Sequence, residues 1–208
     1  MKIIIDIDNT LIDYRKSLFN ILQKSNITLQ GLSSANKMSI IKMRIKEELG
    51  DLFWQKIQAH IYSDLSDNVC FYKDSGKFIR EAYKKKWIIY LISHKTKFGM
   101  HKAKNINIRK IAVDRVNKWK NLEKIGDNIF ATYYVETFNE KIELIKSINP
   151  KIIVDDLLEI HTNINNLQNS INILFEGNDS SNGITKEKGI ICVNSWQEIN
   201  TFFKTIKL

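Results

Sequence analysis

One proline in 208 residues, two cysteines and eight glycines leave this chain few of the residues that break or cross-link a backbone. With 43% hydrophobic and 26% charged residues, it is neither a disordered tail nor a low-complexity linker. Cys70 and Cys192 lie far apart with no metal-type spacing, which excludes a disulfide scaffold and a zinc ribbon. Long apolar runs are missing as well. The strongest, residues 87–92, is too short to cross a bilayer, so no membrane partner is expected. The N-terminus turns acidic at Asp6 before a signal-peptide core could form, and a cytoplasmic protein is the expectation. At this length the chain can build one core, or one core with a small accessory lobe.

What it has in excess is positive charge, 32 basic against 23 acidic residues, a formal +9. Such a charge draws anions: nucleic acid, acidic surfaces or phosphorylated small molecules. The lysines are spread along the chain, with Lys84-Lys85-Lys86 as the dense run. Richness in Ile and Asn fits an AT-rich coding sequence, which explains the lysines equally well. Basicity therefore selects no partner.

The apolar pattern is more informative. Residues 2–7 form a short β-branched run that ends in carboxylates, the pattern of a buried parallel strand. Similar runs occupy residues 87–92, 129–134 and 152–154, with weaker ones at 171–175 and 190–193. Helical stripes lie between them: Phe78, Ile79, Ala82 and Tyr83; then Ile108, Ile111, Ala112, Val116 and Trp119; then Ile142, Leu144, Ile145 and Ile148 before Pro150. Alternating strands and helices predict an α/β fold with a Rossmann-like, doubly wound parallel sheet. Residues 14–70 break the alternation with at least three helical patterns and no convincing strand. One carries Met38, Ile41, Ile45 and Leu49, with Ser33 or Ser34 as cap and Gly50 as terminator; the next carries Phe53, Trp54, Ile57 and Ile61. An all-helical insertion after the first strand is expected. Residues 178–189 read as a mobile surface loop.

The chemistry gathers at predicted strand ends, where ligands of open α/β sheets bind. Asp6 and Asp8 follow the first strand, Ser93 the second, and Asp155-Asp156 the fourth. Asp6 and Asp8 could cap a helix, or one could serve as metal ligand and nucleophile while the other acts as an acid. Adjacent acids on a buried strand are costly unless a cation meets them. Lys141, 14 residues before Asp155, can reach the same edge; Lys146 and Lys151 are alternatives less well placed.

In this order the residues resemble the signatures of the haloacid dehalogenase (HAD) superfamily, whose members are mostly phosphatases. Asp6-Ile7-Asp8-Asn9-Thr10 is similar to its D-x-D-x-T loop, Ser93 to its second-strand hydroxyl, Lys141 to its lysine and Asp155-Asp156 to its acidic pair. The resemblance covers residues 1 to about 175 and implies a HAD-like core of residues 1–13 and 71–208, with a helical C1-type cap at 14–70. It implies Mg²⁺ held by Asp6, the Asp8 carbonyl and the acidic pair, chiefly Asp156, in the all-oxygen ligation that suits this ion. Asp6 would be the nucleophile and Asp8 the acid and base, with Ser93 and Lys141 stabilising phosphoryl charge. A small phosphorylated metabolite, a nucleotide or a sugar phosphate, is the implied substrate, with a deoxyribonucleotidase-like activity as the leading specific version. A basic protein that processes or binds nucleic acid on this scaffold is the alternative. Asn9 and Thr10 are expected to shape the loop. Of the histidines, His94 alone is kept as a rim candidate, while His60 and His161 read as ordinary polar positions. Phe53, Trp54 and Tyr62 read as core rather than as a substrate platform.

Overall fold

A computed structural model describes residues 1–34, 36–63, 69–99, 105–164, 167, 170–177, 184–187 and 189–205. Strand β1 (Lys2–Ile5) lies at the centre of a seven-stranded sheet because its isoleucines are apolar on both faces, with Ile3, Ile4 and Ile5 fully buried. It pairs in parallel with β4 (Ile88–His94) on one side and β6 (Ile152–Asp155) on the other. Strand β5 (Ala131–Val135) extends the sheet beyond β4; β7 (Ile171–Phe175) and β9 (Ile190–Val193) extend it beyond β6. All these pairings are parallel. Among the described strands of this sheet, only β8 (Thr185–Glu187), on the far edge, runs antiparallel to its neighbour β9. The strand order β5-β4-β1-β6-β7-β9-β8 reverses direction around β1, the kind of switch point beside which open α/β sheets bind ligands.

The two-residue period of the strands divides the core. Ile4, Tyr90, Ile92 and Ile153 face one layer, built with α6 (Phe138–Ile148) and α7 (Leu158–Asn163). Ile3, Ile5, Ile89, Leu91, Ile152 and Val154 face the other layer, with α4 (Ser75–Lys84), α5 (Ile108–Leu122) and α8 (Trp196–Thr205). The α/β doubly wound expectation therefore holds.

Between β1 and α4 the chain forms β2 (Ile12–Asp13), α1 (Arg15–Lys24), α2 (Met38–Leu49), α3 (Asp51–Ser63) and β3 (Cys70–Phe71). The expected helices are present, but two short strands are added: β2 and β3 pair antiparallel where the helical segment leaves and rejoins the sheet. Helix α3 packs on α1, α2 and α5, which sets the insertion over the second layer. Gly50 ends α2 at φ 85°, a conformation glycine adopts without strain. Neither Ser33 nor Ser34 caps α2. The helix starts later, with Lys37 at the N-cap, because Asn36 Oδ1 engages the Ser33 amide at 2.7 Å in a preceding turn. The loop expected over residues 178–189 is shortened by β8; residues 178–183 and 188 lie outside the described residues. No described helix is long and apolar enough to cross a membrane.

The turn after β1 is held from outside. The Asn9 backbone is left-handed, at φ 59°, and Leu11 and Ile12 both donate their amides to the Ile7 carbonyl. The buried Trp196 indole donates to the Thr10 carbonyl at 2.8 Å. Replacing Trp196 with Phe removes this donor while keeping a ring, so denaturant unfolding should show a loss of about 1–3 kcal/mol. An unchanged midpoint would contradict the anchoring role.

Candidate active site

Strand direction explains why the acids meet. Asp6 and Asp155 stand at the carboxyl ends of neighbouring strands, and the Asp6 amide donates to the Val154 carbonyl at 2.9 Å. Alternation turns both side chains to the α6 layer. Lys141 lies in the first turn of α6, which Thr137 begins by accepting the Glu140 amide. Its ammonium lies 2.6 Å from Asp6 Oδ1 and 2.7 Å from Asp155 Oδ2. Lys141 is only 2% exposed and Asp155 is fully buried. Lys146 instead pairs with Glu143 on the surface, and Lys151 is exposed.

The other half of the site faces the second layer. Ser93 lies on the opposite side of β4 from Ile92 and His94, and its hydroxyl donates to Asp8 Oδ2 at 2.8 Å. Asp8 Oδ1 accepts from the Tyr14 hydroxyl at 2.8 Å and from Lys95 Nζ at 2.7 Å. Arg115, on α5, donates to the Tyr14 oxygen at 3.3 Å and to the Ile61 carbonyl of α3 at 3.2 Å. The structure thus brings together all the sequence-predicted residues, Asp6, Asp8, Ser93, Lys141, Asp155 and Asp156, and adds Lys95, Tyr14 and Arg115.

Electrostatics separate the two halves. Burial pushes Asp6 up to about 7 despite Lys141, with Asp155 and Asp8 adding to the rise. Burial and the neighbouring Asp6 and Asp155 likewise raise half-buried Asp156 well above the carboxylate range. For Lys141 burial opposes the charge, but Asp155 and Asp6 outweigh it and hold the ammonium above its normal range. Burial also works against the Asp8 charge; there Lys95, Ser93 and Tyr14 prevail and hold the carboxyl below its usual value. Lys95 loses more to burial than Asp8 returns and is lowered. Burial and Asp8 keep Tyr14 a protonated donor.

Asp6, Asp155 and Asp156 each offer an oxygen within 4.8 Å of the others. Asp155 Oδ2 is buried with the Lys141 ammonium 2.7 Å away, and a carboxylate that meets one cation there still has lone pairs for another. These hard oxygen donors fit a divalent ion such as Mg²⁺. Two surface hollows are lined by other residues than these. One of about 180 Å³ is lined by residues such as Tyr72 and Trp196, the other of about 370 Å³ by residues such as Asp13 and Arg15.

The remaining candidates separate clearly. His94 is exposed and its Nε2 lies 3.0 Å from the Glu136 carbonyl, away from Asp8. His60 is exposed. His161 is fully buried, its Nε2 3.2 Å from the Asp155 carbonyl, so it braces the acidic strand end. Asn9 supplies the loop's left-handed turn, and Trp54 is core. Tyr62 packs against the core as expected, and its ring centroid also lies 3.6 Å from Lys95 Nζ. The signal for Lys95 was its place two residues after Ser93, on the same side of an extended chain.

The sequence matches no protein-family model and no curated protein. Solved structures match the fold over almost the whole chain. A HAD-superfamily hydrolase from Ehrlichia chaffeensis is 14% identical, with TM-score 0.52 and coverage of 98% of this chain and 95% of that one. A family IA, variant 3 HAD hydrolase from Entamoeba histolytica HM-1:IMSS is 12% identical, with TM-score 0.53 and coverage of 95% and 94%. A phospho-aspartyl intermediate analogue of phosphoserine phosphatase is 14% identical, with TM-score 0.50 and coverage of 99% and 98%. The chain has the fold of HAD-like hydrolases.

In metal-free protein, a folded-state Asp6 near 7 binds a proton that the unfolded chain has released by about pH 4. Its contribution to stability is therefore full below about pH 4 and is lost as pH rises through 7. Thermal melts in EDTA should fall over this window, and Asp6→Asn should flatten the fall by roughly 1–3 kcal/mol. Identical pH profiles for the two proteins would refute the assignment.

Proposed function

We propose that this chain is a Mg²⁺-dependent phosphatase that acts through an aspartyl-phosphate on Asp6, with a small phosphorylated metabolite as substrate. The observation that carries this reading is the convergence of Asp6, Asp155 and Asp156 with Lys141 at neighbouring strand ends, while Asp8 stands two residues beyond the nucleophile. Asp6, the Asp8 carbonyl and Asp156, with Asp155 beside them, would hold the ion. When bound, Mg²⁺ supplies positive charge that draws electrons from the phosphoryl oxygens and keeps Asp6 ionised.

The residues then divide the reaction. An Asp6 oxygen attacks phosphorus in line as the bond to the leaving oxygen breaks. Asp8 gives that oxygen a proton, then takes one from the water that cleaves the Asp6–phosphorus bond, which restores Asp6. Lys141 and Ser93 stabilise charge on the equatorial oxygens, the main task in phosphoryl transfer. In the substrate-free arrangement Tyr14, Ser93 and Lys95 hold Asp8 as a carboxylate, so its acid role requires these donors to turn elsewhere.

The α1–α3 segment serves in this reading as a C1-type cap. Asp6, Asp8 and Ser93 are all at most 9% exposed, so substrate entry requires the cap to move. Such an enclosure favours a compact substrate, a nucleotide or a sugar phosphate.

Phosphate release from a panel of nucleoside monophosphates and sugar phosphates tests the proposal. Release should require Mg²⁺, stop in EDTA and vanish in Asp6→Asn. Ser93→Ala and Lys141→Met should each lose about 2–4 kcal/mol of transition-state stabilisation. Full turnover by Asp6→Asn, or release from no panel member, would overturn the assignment.

A further inference from the structure

We propose that Lys95 is a second phosphoryl-binding cation, a catalytic residue that leaves the Asp8 carboxylate for the substrate's phosphoryl oxygens. The inference rests on the phosphatase reading above and adds a residue which that reading leaves without a task.

Position comes first. The Lys95 amide donates to the Val135 carbonyl at 2.9 Å, so extended pairing with the β5 edge continues past the end of β4. Side chains of an extended chain alternate, which puts Ser93 and Lys95 on one side and His94 on the other. The contacts agree: Ser93 and Lys95 both donate to Asp8, one to each oxygen, and His94 meets the Glu136 carbonyl instead. Arg109 fixes the base of this residue, donating to the Lys95 carbonyl at 2.9 and 3.3 Å.

Chemistry follows from position. A lysine and a serine converging on two oxygens of one anion is also how a phosphoryl group is held, and Ser93 is already assigned to that group. Asp8 is the anion they hold when substrate is away. Lys95 is 3% exposed, under the Tyr62 ring and with the Tyr14 ring centroid 5.7 Å from its ammonium. Burying an ammonium merely to neutralise one carboxylate is a poor return, since an apolar pair would do as well for stability. A phosphoryl group carries charge on several oxygens and gains from cations on more than one side. Lys141 serves the Asp6 side from the α6 layer. Lys95 serves the Asp8 side, where the leaving group departs.

Calorimetric binding of inorganic phosphate, at saturating Mg²⁺, separates this task from simple neutralisation. Asp8→Asn frees Lys95 and should bind phosphate more tightly than the wild type. Adding Lys95→Met to Asp8→Asn should weaken that binding by about tenfold or more, the scale of one charged hydrogen bond. Adding Lys95→Arg instead should retain most of it. The double variant removes both charges of the pair, so it leaves no lone buried carboxylate to unfold the protein. Equal phosphate affinity with and without Lys95 in the Asp8→Asn background would overturn the proposal, as would no phosphate binding by Asp8→Asn. Lys95-dependent binding in a protein that releases no phosphate from any substrate would sustain Lys95 as an anion ligand and defeat the phosphatase reading. Release with Lys95-independent binding would defeat the Lys95 proposal alone.

Discussion

The contact of Lys141 with Asp6 and Asp155 is the constraint around which this structure is arranged. One ammonium lies within 2.7 Å of two carboxylates, and all three groups are buried. Burying these charges is expensive, and the attraction repays it only if all three groups are accurately placed. That accuracy comes from β1 and β6 being adjacent and in register, and from α6 delivering Lys141 in its first turn. With another register, Asp6 and Asp155 would no longer share a face, and Lys141 would be a buried charge without a partner. A core built for stability alone would have no use for this arrangement; a site that handles an anion with a cation does.

The sheet also divides the chemistry. Charges that bear on Asp6 project into the α6 layer, and charges that bear on Asp8 project into the layer shared with α5 and the helical insertion. The plane between them passes along the carboxyl edge where phosphorus would sit. Arg115 ties the second layer together by contacting Tyr14 and the Ile61 carbonyl of α3. Arg115 thus joins α3 to the same Tyr14 hydroxyl that donates to Asp8.

Much of this could be read in the sequence for a definite reason. Buried parallel strands demand unbroken apolar runs, so charges at their ends stand out: Asp6 after Ile5 and Asp155 after Val154. Lys141 could be placed because it lies near the start of the helix before β6, 14 residues ahead of Asp155, where its ammonium can reach the same edge. The second half of the site was harder to read. Lys95 follows its strand in a polar stretch where several residues could point inward, and only the continued pairing with Val135 fixes its side. Tyr14 and Tyr62 look like core aromatics because their rings are packed; what distinguishes them is the hydroxyl on Asp8 and the cation beneath the ring, both products of long-range packing. The start of α2 departs from the serine-cap expectation because Asn36 Oδ1 accepts from the Ser33 amide and hydroxyl and closes a turn ahead of the helix.

The proposed reaction requires a covalent bond between Asp6 and phosphorus. Turnover of a released substrate in Mg²⁺, quenched in acid and followed by peptide mass mapping, tests it most directly. The account predicts a phosphoryl mass on the peptide containing Asp6, and its loss in Asp6→Asn. Phosphate release with that peptide unmodified at every quench time, or with the label on another residue, would contradict it.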